Sequence, residues 1–246
     1  MGKPVFFISG QSAALDYAKA YFKKRNCPVA DTPEDCITHL LLPVPLFHTD
    51  NIAATLASLP ASVTVMGGNL QNPVFNGYTC QDLLKDPWYL SENAAITAYG
   101  ALRLAMEHLP VTLSGCPVLV IGWGRIGKCL ADLLKQLGAR VSISTRKESD
   151  RAILSCIGYD TLSLAPPYYS LLRYRLIFNT APACVLTKEA LENCAPDCVK
   201  IDLASTRGIE GDDVLWARGL PAKLFPESSG ELIARTALRL ASNQEA

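Results

Sequence analysis

The chain has 246 residues, 49% of them hydrophobic, enough to bury a sizeable core in one large or two modest domains. Lysine plus arginine and aspartate plus glutamate both number 23, so the formal net charge is zero and no basic footprint argues for nucleic acid. The apolar run at residues 5–8 is too short for a signal peptide, the uncharged stretch 51–81 is too broken by proline and glycine for a membrane span, and the nine scattered cysteines lack zinc-site spacing. We expect reduced thiols in a cytoplasmic protein, with His39, His48 and His108 structural rather than catalytic.

In chain order, residues 4–9 predict a strand, 12–24 an amphipathic helix, and 37–42 a buried strand ending at Pro43-Val44-Pro45. A short helix over 50–59 and a strand over 62–66, ending in Gly67-Gly68, continue the alternation. Alternating strands and helices imply parallel βα units, so residues 1–91 are expected to form a small doubly wound, flavodoxin-like domain for substrate. A long helix follows over 92–109, with Ile96, Tyr99, Leu102, Met106 and Leu109 at helical spacing and Pro110 as a stop. Within it Gly100 costs about 1 kcal/mol relative to alanine. Either a close neighbour, backbone or ligand, explains that glycine, or it is simply tolerated. This helix, in a segment 92–112, is expected to bridge to a dinucleotide-binding Rossmann domain over 113–226.

The second domain carries the most informative stretch. Residues 118–121 read as a buried strand running directly into Gly122-Trp123-Gly124-Arg125-Ile126-Gly127, and residues 128–137 read as a helix with Leu130, Leu133, Leu134 and Leu137 on one face. The glycines serve three different ends, Gly122 the tight turn, Gly124 the close approach of a pyrophosphate, and Gly127 the packing of helix on strand. The pyrophosphate would lie on the helix N-terminus, where unpaired N–H groups and the macrodipole favour an anion. A second strand over 140–145 ends at Thr145-Arg146-Lys147, with no carboxylate before Glu148. An acid at that place would bind a ribose 2′-hydroxyl, whereas cations suit a 2′-phosphate, so NADP is expected and NAD remains open.

Further strands are predicted over 160–164, 175–179 and 199–203, with helices over 151–158 and 187–194. A C-terminal helix over 227–246 is expected to open on a capping box of Ser228 and Glu231. Ligands of an open α/β sheet bind beyond the carboxyl ends of the strands. Asn179, Thr180 and Ala181 are therefore placed beside the nicotinamide-side ribose, and Asp202 joins the cofactor set, although a carboxylate there can equally cap a loop. Gly68 and Asn69 of the first domain are expected to shape a substrate pocket.

Six motifs in this order resemble the dipicolinate synthase A-subunit family: Thr97-Ala98-Tyr99-Gly100-Ala101, the glycine fingerprint with its helix end Leu137-Gly138-Ala139, Thr145-Arg146-Lys147, Phe178-Asn179-Thr180-Ala181-Pro182, Ile201-Asp202-Leu203-Ala204-Ser205, and residues 219–233. The resemblance covers most of residues 82–240 and is faint over 1–80. It implies an NAD(P)-dependent dehydrogenase that oxidises a cyclic dihydro- or tetrahydrodipicolinate-type dicarboxylate to dipicolinate in sporulation. The implied partner is a flavoprotein-like B subunit. Lys223 matches the lysine of the family's Gly-Leu-Pro-Gly-Lys run and is the implied contact for a substrate carboxylate; Arg207 is another cation close to a strand end, and Ser205 beside it is also expected at the substrate. There are departures: Tyr99 stands where the family has glutamate, Ala222 replaces a glycine, Arg207 replaces a proline, and the segment 205–219 is shortened. Two alternatives stand beside this reading: a shikimate-dehydrogenase-like reductase and a non-catalytic NADPH-binding regulatory subunit. No catalytic acid or base and no metal ligand is assigned; a homo-oligomer is compatible with the sequence.

Overall fold

The computed structural model describes residues 3–33, 36–48, 51–164 and 169–242. Residue 50 of the expected short helix and residues 243–246 of the expected C-terminal helix lie outside them. Two compact units form, one from residues 1–93 with 221–246 and one from 94–220.

In the first unit, β1 (Phe6–Ile8), β2 (Val29–Ala30), β3 (His39–Leu41), β4 (Thr64–Gly67) and β5 (Thr79–Asp82) form one sheet in the order β2-β1-β3-β4-β5, every pair parallel. That is the flavodoxin-like order 2-1-3-4-5. Helix α1 (Ala13–Lys24) crosses from β1 to β2, and α2 (Ile52–Ala57) from β3 to β4. Ser12 caps α1, its hydroxyl accepting from the Leu15 N–H at 3.2 Å. One face of the sheet buries Leu40, Leu42, Val63 and Val65 against Ile52 and Leu56 of α2. His39 lies in the core, stacked on Phe6 with ring centroids 5.1 Å apart, as a structural histidine would.

Helix α3 (Pro87–His108) starts five residues before the expected position. The cause is Asp86-Pro87: the Asp86 carboxylate accepts from the Tyr89 N–H at 2.7 Å, and proline at the first helical position has no N–H to leave unpaired. Gly100 has a neighbour after all, since a Cβ there would stand 2.9 Å from the Leu220 Cβ.

In the second unit, β6 (Pro117–Ile121), α4 (Arg125–Gln136), β7 (Arg140–Ser144), α5 (Glu148–Cys156) and β8 (Asp160–Thr161) make the first half of a Rossmann sheet. The second half is β9 (Leu176–Asn179), α6 (Lys188–Leu191), β10 (Val199–Asp202) and β11 (Val214–Trp216). The parallel order β8-β7-β6-β9-β10-β11 reverses direction between β6 and β9. Continuous burial of Val118–Ile121 and Leu176–Asn179 reflects strands covered on both faces. Cys194 and Cys198 sit in the apolar cluster around Ile177 and Leu186, and all nine cysteines are free thiols.

The chain then enters α7 (Leu220–Leu224) and α8 (Pro226–Ser242). The expected capping box is corrected: Pro226 opens α8, so Ser228 and Glu231 are already inside the helix. Nor does α8 stand apart as a C-terminal element. It packs along α1, so closely that a Cβ on Gly230 would lie 2.6 Å from the Tyr17 Cβ and 2.9 Å from the Ala18 nitrogen. Two ion pairs fasten it, Arg239 to Asp86 at 2.7 Å and Arg235 to Glu92 at 2.6 Å. Among the described residues, no helix is long and apolar enough to cross a membrane.

Candidate functional site

The reversal of strand order between β6 and β9 opens a cleft of about 640 Å³, lined by the ends of β6, β7 and β9. This is where an open α/β sheet takes its ligand. The three fingerprint glycines differ physically. Gly122 has φ +101°, a left-handed conformation, and a Cβ on it would run into the Thr180 hydroxyl. A Cβ on Gly127 would collide with the Gly122 carbonyl oxygen, so this glycine lets α4 lie against β6. Gly124 has ordinary backbone angles and nothing within 4 Å of where its Cβ would be. Space is kept open there. Gly124 is also the N-cap of α4 and offers no capping side chain to the first-turn N–H groups.

Arg125, Ile126 and Gly127 form that first turn, starting the helix three residues earlier than expected. Trp123 lines the cleft with its ring edge-on to Tyr159 (centroids 5.9 Å) and the Lys128 ammonium 5.7 Å from its centroid. At the end of β7, Thr145, Arg146 and Lys147 all line the cleft, the two cations exposed. Two contributors escaped the sequence reading. Arg151 donates through Nη1 to the carbonyl oxygens of Thr145 and Arg146, both at 3.0 Å, and Asp150 accepts from the Thr145 hydroxyl at 3.5 Å. Their signal was the start of α5 at Glu148, which turns both residues back onto the strand end. Three cations and one carboxylate thus line this end of the cleft.

Asn179 and Asp202 turn inward. Both are fully buried, and their polar atoms are consumed inside the protein. Asn179 accepts from the Ala181 N–H at 2.9 Å and donates to the Ala181 carbonyl at 3.1 Å and to Asp202 at 2.9 Å. Asp202 also accepts the N–H groups of Ala204, Gly208 and Ile209 at 3.0, 2.6 and 3.0 Å. Its carboxylate therefore caps the loop after β10 and holds the turn after β9. That turn presents Thr180 and Ala181 to the cleft, with the Thr180 hydroxyl donating to the Ile121 carbonyl at 3.0 Å. Cys184 also lines the cleft. Although the residue is exposed, partial desolvation of its thiol and the Glu210 carboxylate that it contacts at 3.5 Å raise its pKa, which favours the protonated form.

The residues expected on substrate divide between the two units. Ser205 and Arg207 share one exposed loop of the second unit, where Arg207 donates to the Gly211 carbonyl. Gly68 and Asn69 form a turn of the first: the Gly68 N–H donates to the Pro43 carbonyl at 3.2 Å and the Asn69 N–H to Asp82 at 3.3 Å. That turn is built for structure. Lys223 is exposed on α7. Among the described residues there is no cluster suited to a metal ion.

The chain is 24% identical over 253 residues to the A subunit of dipicolinate synthase from Bacillus subtilis, covering 90% of this chain and 83% of that protein. It is a relative of the dipicolinate synthase A subunit. No protein-family model matches the chain. The crystal structure of the corresponding A subunit from Bacillus halodurans superposes with a TM-score of 0.81 at 22% identity, covering 98% of both chains. A D-isomer-specific 2-hydroxyacid dehydrogenase from Lactobacillus delbrueckii, solved in its NAD-complexed form, gives 0.57 at 12% identity, again over 98% of both. At these identities the structures establish the fold, which is that of the Rossmann dehydrogenases.

Proposed function

We propose that this relative of the dipicolinate synthase A subunit is an NADP-dependent oxidoreductase acting on a cyclic, partly reduced pyridine dicarboxylate. The observation that carries the cofactor reading is the β7 end: three cations, one carboxylate and no acid at the ribose position suit a phosphate dianion better than a bare 2′-hydroxyl. The residues fit a dinucleotide. Gly124 leaves room for the pyrophosphate against the uncapped first turn of α4, and Arg146 and Lys147 would hold the 2′-phosphate. When bound, the nicotinamide supplies a hydride acceptor. The protein then has to position a ring C–H and hold the carboxylates, for one of which exposed Lys223 is the candidate cation. Because the relative is one subunit of a synthase, its counterpart subunit is the proposed partner.

Cofactor choice is tested by titrating the purified chain with NADPH and NADH. NADPH should bind more tightly, and Arg146→Asp should narrow the preference by about tenfold to a hundredfold, the worth of a charge-assisted contact. Equal affinity in the unaltered protein would reject the phosphate reading. The reaction is tested separately, by offering NADP with the freshly condensed product of aspartate semialdehyde and pyruvate and following absorbance of the reduced cofactor. Reduction supports the dehydrogenase. Tight NADPH binding without turnover, with or without a second subunit, would mark a dinucleotide-binding regulatory subunit instead.

A further inference from the structure

The proposed dinucleotide fixes a direction along the Rossmann sheet. With its 2′-phosphate at the end of β7 and its pyrophosphate at the start of α4, the nicotinamide would emerge on the β9 side, beside Thr180 and Ala181. A substrate ring then has to lie beyond it, toward the carboxyl ends of β10 and β11, within about 10 Å or two strand spacings. A dicarboxylate asks for more than one cation. Of Arg207 and Lys223, the first already donates to the Gly211 carbonyl, and the second is one cation for two carboxylates.

The end of β11 supplies another. Asp202 and Trp216 pair in register, and the Ala217 N–H donates to the Asp202 carbonyl at 2.8 Å, so β10 and β11 end level. Side chains two residues apart share one face of a strand. Val214 is 8% exposed in the apolar cluster around Ile177, yet Trp216, on the same face, is 46% exposed. Its indole N–H is donated inward to the Ala204 carbonyl at 3.1 Å, which fixes the ring against the loop after β10. The one polar atom of that side chain is thereby satisfied, and what stays exposed is apolar ring. Arg218 sets its guanidinium carbon 5.5 Å from the ring centroid, a cation–π distance. Among the described residues it pairs with no carboxylate. A guanidinium held by a π system and by no anion keeps its forked donors for a ligand. Indole and guanidinium together complement a flat, unsaturated ring that bears a carboxylate. An aliphatic acid would use the cation and gain little from the ring. We propose that Trp216 and Arg218 form the substrate subsite, taking the ring and one carboxylate of a cyclic conjugated dicarboxylate. This rests on the dehydrogenase reading above and gives it residues that set specificity.

Isothermal titration calorimetry of the full chain, saturated with whichever of NADPH and NADH binds more tightly, tests this. The probes are dipicolinate and cis-cyclohexane-1,3-dicarboxylate, which keeps the spacing of the carboxylates but not the flat ring. Dipicolinate should bind about tenfold tighter than the saturated ring or better. Arg218→Ala should weaken dipicolinate about tenfold to a hundredfold, and Arg218→Lys, with the charge but not the fork, should recover only part. Trp216→Ala should cost about tenfold and erase most of the discrimination between the rings, whereas Trp216→Phe should keep it. All four variants should bind the cofactor as the unaltered chain does, which separates a lost subsite from a damaged fold. Should Trp216→Ala fail to fold, the two exposed Arg218 variants and Trp216→Phe still decide. Equal dipicolinate affinity in every variant would overturn the subsite and leave the dehydrogenase reading standing. Equal affinity of the unaltered chain for the flat and the saturated ring would overturn it too. A chain that takes the cofactor but neither ring would overturn the subsite and the substrate reading together.

Discussion

Gly127→Ala should destabilise the second unit by about 3 kcal/mol or more, while Gly124→Val should leave stability within about 0.5 kcal/mol and abolish tight dinucleotide binding. The two glycines stand three positions apart, yet their constraints are opposite. A methyl group on Gly127 meets the backbone oxygen of Gly122, which cannot rotate aside as a side-chain tip could, so α4 must move off β6. Leu130 and Leu134 of the helix and Val120 of the strand are all fully buried, and lifting the helix opens voids in that interior. Gly124 has φ −81° and ψ −168°, extended angles open to any residue, and no atom near its missing Cβ. Valine there fits the protein but fills the place of the pyrophosphate. We expect unchanged urea melts and a loss of NADPH affinity of about a hundredfold or more, equivalent to nearly 3 kcal/mol. A Gly124→Val protein that retains NADPH affinity would place the cofactor elsewhere.

Asp202→Ala should be equally costly without touching a ligand. The substitution leaves the Asn179 amide and the N–H groups of Ala204, Gly208 and Ile209 buried around an empty place, four donors with their acceptor removed. Cutting one partner out of a buried charged network costs about 3–5 kcal/mol. Asp202→Asn is nearly the same shape, but it replaces an acceptor oxygen with a donor amid donors and should recover only part of the loss. Chemical denaturation of the three proteins checks the order. Dinucleotide binding should weaken alongside stability, since Asn179 steers the turn that presents Thr180 to the cleft. A loss below about 1 kcal/mol for Asp202→Ala would show that the loop after β10 holds itself.

Both results turn on features that stood unequally in the sequence. The glycine fingerprint was legible because each glycine answers a local steric demand, and the strands of the sheet centre were legible because burial on both faces makes them continuously apolar. The edges were not. β5 reads Thr-Cys-Gln-Asp, half exposed at the sheet margin, and β2 and β11 are two and three residues long, so neither length nor hydrophobicity announces them. Asp202 shows the same limit at the site. A carboxylate at a strand end has one appearance in sequence whether it faces a ligand or four protein donors, and only the return of the 204–209 loop decides. Arg151 was hidden for a simpler reason. The helix carrying it begins three residues earlier than its apolar pattern, because Glu148 and Asp150 suit a first turn without adding to the hydrophobic stripe.

The return of α8 to α1 sets an order of events during synthesis. Residues 94–220, which hold the complete Rossmann sheet, leave the ribosome before α8 exists. The unit made first waits longest: until 226–242 emerge, the face of α1 that receives Gly230, with buried Ala14 and Ala18, has no cover. Domains ordinarily fold N-terminal first as the chain lengthens. Here that precedence is inverted, and the later half of the polypeptide can be native while the earlier half is still unfinished.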